Sequence, residues 1–202
     1  MRIGVITESE GESRVAIVPS SIRKLAKSGY EVAIQEGAGK LSNYSDQDYS
    51  DAGAKVVDRE EALKSPFLIC VRFPEGVDFF EGQVIACIAD PFRHPERIKF
   101  CNSRKATLLS MDMIPRRLSR AQSMDVNSSQ DNLAGYKAVL LGASMVPKGI
   151  PMMTTSAGTI RPAKVVIMGS GVAGLQAIAT AKRLGAVVSA TDVRSAVKEQ
   201  VE

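Results

Sequence analysis

The sequence predicts an α/β protein made of two doubly wound units with mostly parallel sheets, the second of them incomplete, and three observations carry that prediction. Short apolar, β-branched runs alternate with helical segments through the first 126 residues. Two of those runs, 67–71 and 84–88, are almost continuously apolar, as strands buried on both faces of a parallel sheet are. The third is a strand, glycine turn, helix and second strand running from Lys164 to Asp192, close to the last residue, Glu202.

Residues 2–6 read as the first strand and open into a polar loop over 7–14 that contains Gly11. After the apolar residues 15–18 and Pro19, Ser20 or Ser21 can cap a helix that runs to about Ser28 and is closed by Gly29. Residues 31–35 alternate polar and apolar as a half-buried strand does, before Gly37 and Gly39 break the pattern. A short helix over 46–52, a brief strand over 55–57 and a helix over 60–64 lead to the two apolar strands. A helix over 95–101 and a strand over 106–109 follow, giving an N-terminal domain of residues 1–126. Residues 127–160 form a linking segment, with a helix over 128–144 that includes Asn132, Gly135 and Tyr136. A Pro-, Gly-, Met- and Thr-rich loop over 147–162 then delivers the chain to the second α/β unit, residues 161–202.

Composition narrows the function classes. Hydrophobic residues make up 45% of the chain while aromatics are few, which suits close helix–sheet packing. No apolar run approaches the roughly 18 residues that span a bilayer. The N-terminus enters a strand pattern in place of a signal peptide, so a cytoplasmic chain without direct membrane insertion is expected. A net charge of +4 is mild, and the basic stretch 93–105 has only Phe92 and Phe100 to stack on bases, which argues against nucleic-acid binding. Cys70, Cys87 and Cys101 are odd in number and too widely spaced for a metal knuckle, so they read as free thiols in a reducing compartment, two of them inside strands. The one histidine, His94, sits beside Pro95 in a polar loop and reads as a surface residue; no metal site is expected.

The stretch from Lys164 carries the clearest chemistry. The apolar run Val165-Val166-Ile167-Met168 ends at Gly169-Ser170-Gly171-Val172-Ala173-Gly174, and a helix over 172–184 places Gly174, Ala177, Ile178 and Ala181 on one face before Gly185 ends it. Gly169 permits a tight turn, Gly171 lets backbone approach a pyrophosphate, and Gly174 lets the helix lie close to the sheet. N–H groups at the helix start, through Val172 and Ala173, would face the phosphates. Asp192 falls about twenty residues beyond the glycines, where a dinucleotide fingerprint expects an acid. Its carboxylate can accept from ribose hydroxyls and repels a 2′-phosphate, so this Rossmann-like unit is expected to prefer NAD to NADP, a preference that nearby Arg194 softens.

A second informative stretch, Pro115-Arg116-Arg117-Leu118-Ser119-Arg120-Ala121-Gln122-Ser123-Met124-Asp125 with Ser128-Ser129-Gln130, packs many hydrogen-bonding groups between two apolar units. Such groups need partners in each other, water or a ligand. An interdomain network or a helix cap, with Ser128 or Asp125 as cap, accounts for them as well as a ligand does.

With both stretches in hand, the sequence resembles the NAD(H)-binding component, domain I of the alpha subunit, of the proton-translocating nicotinamide nucleotide transhydrogenases, which share a fold with alanine dehydrogenase. The resemblance spans essentially the whole chain. It is strongest over 119–125, 128–130, Ala134-Gly135-Tyr136, Pro151-Met152-Met153, Ala157-Gly158-Thr159 and 171–202. It implies that Arg117, Gln122, Asp125 and Ser128 serve the nicotinamide end, with spacing from Arg120 favouring Arg117 over Arg116. Gly169 to Gly174 and Asp192 would hold the pyrophosphate and adenosine ribose.

The implied reaction is direct hydride transfer between NADH here and NADP⁺ on a partner domain, coupled by membrane-embedded subunits to proton translocation. The chain would form a homodimer and lie at the inner membrane only through its partners. Relatives continue past the position of Glu202, so the resemblance implies a C-terminally truncated Rossmann domain, with activity in the complete assembly. Two alternatives stand beside it: a short non-catalytic nucleotide-binding or regulatory subunit, and an amino-acid dehydrogenase of the alanine dehydrogenase kind. The latter needs an arginine, a lysine and a histidine for its substrate. Arg14 matches the first, but Cys70 and Asp90 stand where the lysine and histidine belong, so Arg14 is expected in a structural ion pair with Glu8.

Overall fold

The computed structural model describes residues 1–115 and 118–195 and divides into two compact units, Met1–Met124 and Asp125–Glu202. In the first, β1 (Arg2–Val5), β2 (Glu31–Gln35), β3 (Lys55–Val57), β4 (Phe67–Arg72), β5 (Val84–Ile88) and β6 (Thr107–Ser110) form one sheet in the order β3-β2-β1-β4-β5-β6. Every neighbouring pair is parallel. Strand order reverses between β1 and β4, the doubly wound topology that alternating strands and helices predict. Helices α1 (Pro19–Lys27), α2 (Asp46–Asp51), α3 (Arg59–Leu63) and α4 (Pro95–Ser103) lie in the connections.

Both faces of this sheet are buried. Along β4, Leu68 and Cys70 join a cluster with Ile6, Phe73 and Ile85, while Phe67 and Ile69 pack on a second cluster containing Val5, Ile22, Val32 and Tyr49. That alternation is the pleat of a strand covered on two sides. All three cysteines are free and buried, Cys70 and Cys87 in strands as expected and Cys101 in α4.

Local signals set the helix ends. Ser45 accepts from the Asp48 N–H while the Asp48 carboxylate accepts from the Ser45 N–H, a capping box that starts α2, and Asp58 caps α3 through the Glu61 N–H. The start of α1 differs from the expectation: Pro19 occupies its first turn, so Ser20 and Ser21 lie inside the helix and neither caps it. Proline suits that position because its missing N–H would have had no intrahelical partner.

A polar cluster closes the C-terminal ends of β1 and β4. Both Glu8 carboxylate oxygens accept backbone N–H groups, from Val71 at 2.6 Å and Arg72 at 3.0 Å. Glu12 accepts from the Arg14 backbone N–H at 3.1 Å, from Arg14 Nε at 2.7 Å and from Arg72 Nε at 3.2 Å. Arg14 therefore sits in an ion pair, hydrogen-bonded to Glu12, while the Glu8 carboxylate accepts from the β4 amides and acts on Arg14 through its charge. The Arg14 hydrogen bond, foremost, brings the Glu12 pKa down to about 2, whereas burial raises that of Glu8.

A carboxyl with a depressed pKa stabilises the fold above its unfolded value of 4.5, and that contribution is lost as pH falls toward 2. Glu12→Gln is accordingly expected to cost roughly 1–3 kcal/mol at neutral pH. The deficit should shrink as the pH is lowered through that window. Urea unfolding of both proteins from pH 7 downward checks it, and a deficit that does not change with pH would refute it.

The second unit contains α5 (Val126–Met145), β7 (Met153–Thr155), β8 (Gly158–Ile160), β9 (Lys164–Met168), α6 (Val172–Arg183) and β10 (Val187–Thr191). β9 and β10 pair in parallel, from Val187 opposite Lys164 to Thr191 opposite Met168. Where the sequence reads as a loop over 147–162, β7 and β8 form an antiparallel hairpin with a Thr154–Thr159 hydroxyl pair. Its strands are three residues each and wholly exposed, too short and too solvated to leave a periodic apolar signal. Among the described residues, no helix is long and apolar enough to cross a membrane.

Candidate functional site

Gly169 follows β9 with φ +94°, a backbone conformation glycine adopts at little cost, and its N–H donates to Thr191 O at 2.7 Å, tying the turn to the end of β10. Gly171 caps α6 in extended conformation, and a Cβ built on it meets nothing within 4 Å. The helix opens with Leu175 N–H donating to Gly171 O at 2.8 Å, so the N–H groups of Val172, Ala173 and Gly174 lie in the first turn, where an α-helix has no carbonyl for them. These donors, at the positive end of the helix dipole and beside the open side of Gly171, make a cradle for an anion.

Gly174 is required by contact: a Cβ there would lie 1.8 Å from Gly169 O. The buried side of α6 comprises Ala177, Ile178 and Ala181, as the spacing predicts, with Thr180 added because its hydroxyl is satisfied by donating to Gln176 O at 2.8 Å.

Asp192 belongs to the same turn. Its Oδ2 accepts from the Ser170 N–H at 2.7 Å, and Oδ1 accepts from the Arg194 N–H at 2.8 Å. The Arg194 guanidinium closes on both oxygens, Nε to Oδ1 and Nη2 to Oδ2, each at 3.0 Å. The Asp192 side chain is 9% exposed and that of Arg194 60%. Arg194 first, then the backbone donors, hold the Asp192 carboxyl well below the usual carboxylate range, so it is ionised at neutral pH. Four donors fill the acceptor capacity of a carboxylate. A ribose hydroxyl can therefore join only by displacing the exposed arginine, while the Ser170 amide keeps the carboxylate anchored to the turn.

The polar stretch lies at the start of α5. Asp125 Oδ1 accepts from the Ser128 N–H at 2.9 Å, which makes Asp125, of the two candidates, the cap, and Ser129 Oγ donates to Asp125 O at 3.0 Å. Gln122 is exposed in a short 3₁₀ turn, Gln122–Met124. Arg117, like Arg116, lies outside the described residues. The structure thus joins Asp125 to Ser128, and separately joins Gly169, Gly174, Asp192 and Arg194.

Other chemistry finds little support. Burial pushes the Cys87 thiol up to about 12 and the Cys70 thiol up as well, so neither is a poised nucleophile. His94 stands partly exposed at the start of α4 against Glu96. Among the described residues, no group of His, Cys, Asp and Glu side chains could hold a metal ion. An apolar cleft of about 380 Å³ lies between α5, α6 and β9 among Val139, Val146, Ile150, Val165 and Ile167, but the glycine turn does not line it.

One residue of this region is named in the sequence reading without a role of its own. Gly135, mid-helix in α5, packs against the backbone of Ala173 in α6. The available signal is a glycine inside a helix, which costs about 1 kcal/mol relative to alanine and so asks for a packing reason.

Comparison with known proteins matches residues 4–134 to the alanine dehydrogenase/PNT N-terminal domain and residues 138–202 to the alanine dehydrogenase/PNT C-terminal domain. An NAD(P) transhydrogenase alpha-subunit protein of Rhodospirillum rubrum is 46% identical over the whole chain, which spans 55% of that relative. The crystal structure of transhydrogenase from Sinorhizobium meliloti matches with a TM-score of 0.95 at 46% identity, covering all of this chain and 59% of that one. An L-alanine dehydrogenase structure matches with a TM-score of 0.87 at 27% identity, covering all of this chain and 57% of that one. The chain thus spans little more than half the length of these proteins.

Proposed function

This chain belongs to the alanine dehydrogenase/PNT family, and from that premise we propose that it forms the NAD(H)-binding portion of a proton-translocating NAD(P) transhydrogenase. The observation that carries the reading is the open face of Gly171 beside three helix-start amides, with the ionised Asp192 hydrogen-bonded to the same turn through Ser170. A pyrophosphate suits the cradle because Gly171 has no Cβ and, among the described residues, nothing lies within 4 Å of where one would stand, and Asp192 would take the adenosine ribose once Arg194 turns aside. Val172, Ala173 and Gly174 contribute backbone, not side chains, to this task.

When bound, the nicotinamide nucleotide supplies the hydride, whose acceptor is NADP⁺ on a partner domain. Hydride transfer between two such rings moves no proton to or from substrate, so this chain needs no general acid or base; it needs to hold a ring in place and keep water away. In this reading Gln122 orients the nicotinamide carboxamide, Asp125 with Arg117 locks the polar arm, and Ser128 stands at the same end. Its partners are a second copy of the chain and the NADP(H)-binding and membrane-embedded subunits, which would keep it cytoplasmic and peripheral to the inner membrane. The amino-acid dehydrogenase alternative is disfavoured by Arg14, engaged by Glu12, and by the buried thiol of Cys70.

Asp192→Asn tests the reading. The variant is expected to relax discrimination against NADPH at least about tenfold, the scale set by a hydrogen bond to a charged group. Fluorescence titration with NADH and NADPH measures it, and unchanged selectivity would remove Asp192 from the ribose.

A further inference from the structure

We propose that Gly135 is a positioning residue, one that sets where the first turn of α6 stands relative to the Asp125–Ser128 end of α5; the inference rests on the nucleotide reading above. Gly135 is the buried residue of α5. A Cβ on it would lie 2.0 Å from Ala173 O, 2.8 Å from Ala173 C and 3.0 Å from Ala173 Cα. The obstacle is peptide backbone, which cannot rotate away as a side chain could, so the two helices meet here with no side chain between them.

Ala173 is the second residue of α6, and the next residue, Gly174, rests in turn on Gly169 O. The amides that face an incoming phosphate are therefore held from two sides, by α5 at Gly135 and by the turn at Gly169. α5 is one uninterrupted helix from Val126 to Met145. Gly135 follows Ser128 by two helical turns, about 10 Å along the axis. A rigid rod pinned at Gly135 fixes the spacing between its polar end, assigned to the nicotinamide side, and the cradle for the pyrophosphate. A methyl group at 135 must push α5 off α6 or slide it along, and either movement changes that spacing.

The same helix supplies a control. A Cβ on Gly142 meets nothing within 4 Å, so Gly142→Ala adds helix propensity without touching α6. The full chain and both variants would be titrated with NADH by fluorescence, and exchange of the Leu175 amide, whose bond to Gly171 O closes the first turn of α6, measured without nucleotide. Gly135→Ala is expected to weaken NADH at least tenfold and to speed exchange at Leu175, with exchange in the rest of α6 unchanged; Gly142→Ala should leave both as in the parent protein.

Parent-like affinity and exchange in Gly135→Ala would overturn the positioning role and leave the nucleotide reading standing. So would unfolding of the whole second unit in that variant, because the contact would then serve folding and not placement. Failure of the parent protein to bind NADH would instead overturn the nucleotide reading and the positioning role resting on it, whatever the exchange data show about packing.

Discussion

Gly174→Ala is expected to abolish measurable NADH binding, a loss of more than about 100-fold. The added Cβ would sit 1.8 Å from Gly169 O and 2.8 Å from Gly169 C, both backbone atoms of the turn on which the helix rests. No rotamer of alanine relieves that overlap, so α6 must lift from the turn, and the amides of Val172, Ala173 and residue 174 move with it. Overpacking a well-packed site costs about 1–3 kcal/mol, and here the displaced groups are also those that meet the phosphates. NADH fluorescence titration, with circular dichroism to confirm that α6 is still formed, measures the effect. Retention of affinity within about threefold would show that the helix start is not what holds the nucleotide.

The second large effect is expected in the other unit, at a glycine with no role in binding. A Cβ on Gly4, in the centre of β1, would lie 2.4 Å from Ala62 O and 2.9 Å from both Cβ and Oγ of Ser65. Ala62 and Ser65 are fully buried, and β1 is hydrogen-bonded on both sides, to β2 and β4. Neither the strand nor the end of α3 has room to retreat without opening the sheet or its cover. Gly4→Ala should therefore destabilise the first unit by about 3 kcal/mol and lower its melting temperature by roughly 10 °C or more. Thermal unfolding followed by circular dichroism checks this; a shift below about 3 °C would mean that α3 yields at little cost.

These two glycines mark how far local sequence carries. Gly174 is readable because it belongs to a spaced pattern in which each member has a known geometric task, and the run of strand, turn, helix and acid supplies the context. Gly4 is an isolated glycine in an apolar strand, and nothing within a few residues of it tells of Ala62 and Ser65 lying on top. Gly135 is intermediate: its place within a helix signals a reason, but the reason lies in Ala173, thirty-eight residues away.

The charged residues divide in the same way. Asp192 is recognisable as an acid at the end of β10, whereas its four hydrogen bonds, two from the Arg194 side chain, depend on how the chain turns after that strand. The sequence reading pairs Arg14 with Glu8, six residues away, whereas the structure hydrogen-bonds it to Glu12, two residues away. The choice is made by the two amides at the end of β4, which engage Glu8 and leave Glu12 to the arginine. The helix caps show the reverse balance. Asp125, Ser45 and Asp58 act within three residues of themselves, so their interactions are legible from the chain alone, although Pro19 displaced the serines expected at α1.

Taken alone, the amino-acid order determined the alternation of strands and helices, the parallel character of the apolar runs and the glycine turn with its acid, since each rests on periodicities and backbone preferences that act over a few residues. Tertiary structure decided the strand order with its reversal between β1 and β4, the engagement of Glu8 by β4, the closing of Arg194 over Asp192 and the bare backbone contacts at Gly4 and Gly135. Each of these depends on how the folded chain arranges groups in space, several of them far apart along it, and steric exclusion at that range leaves no mark in a local pattern.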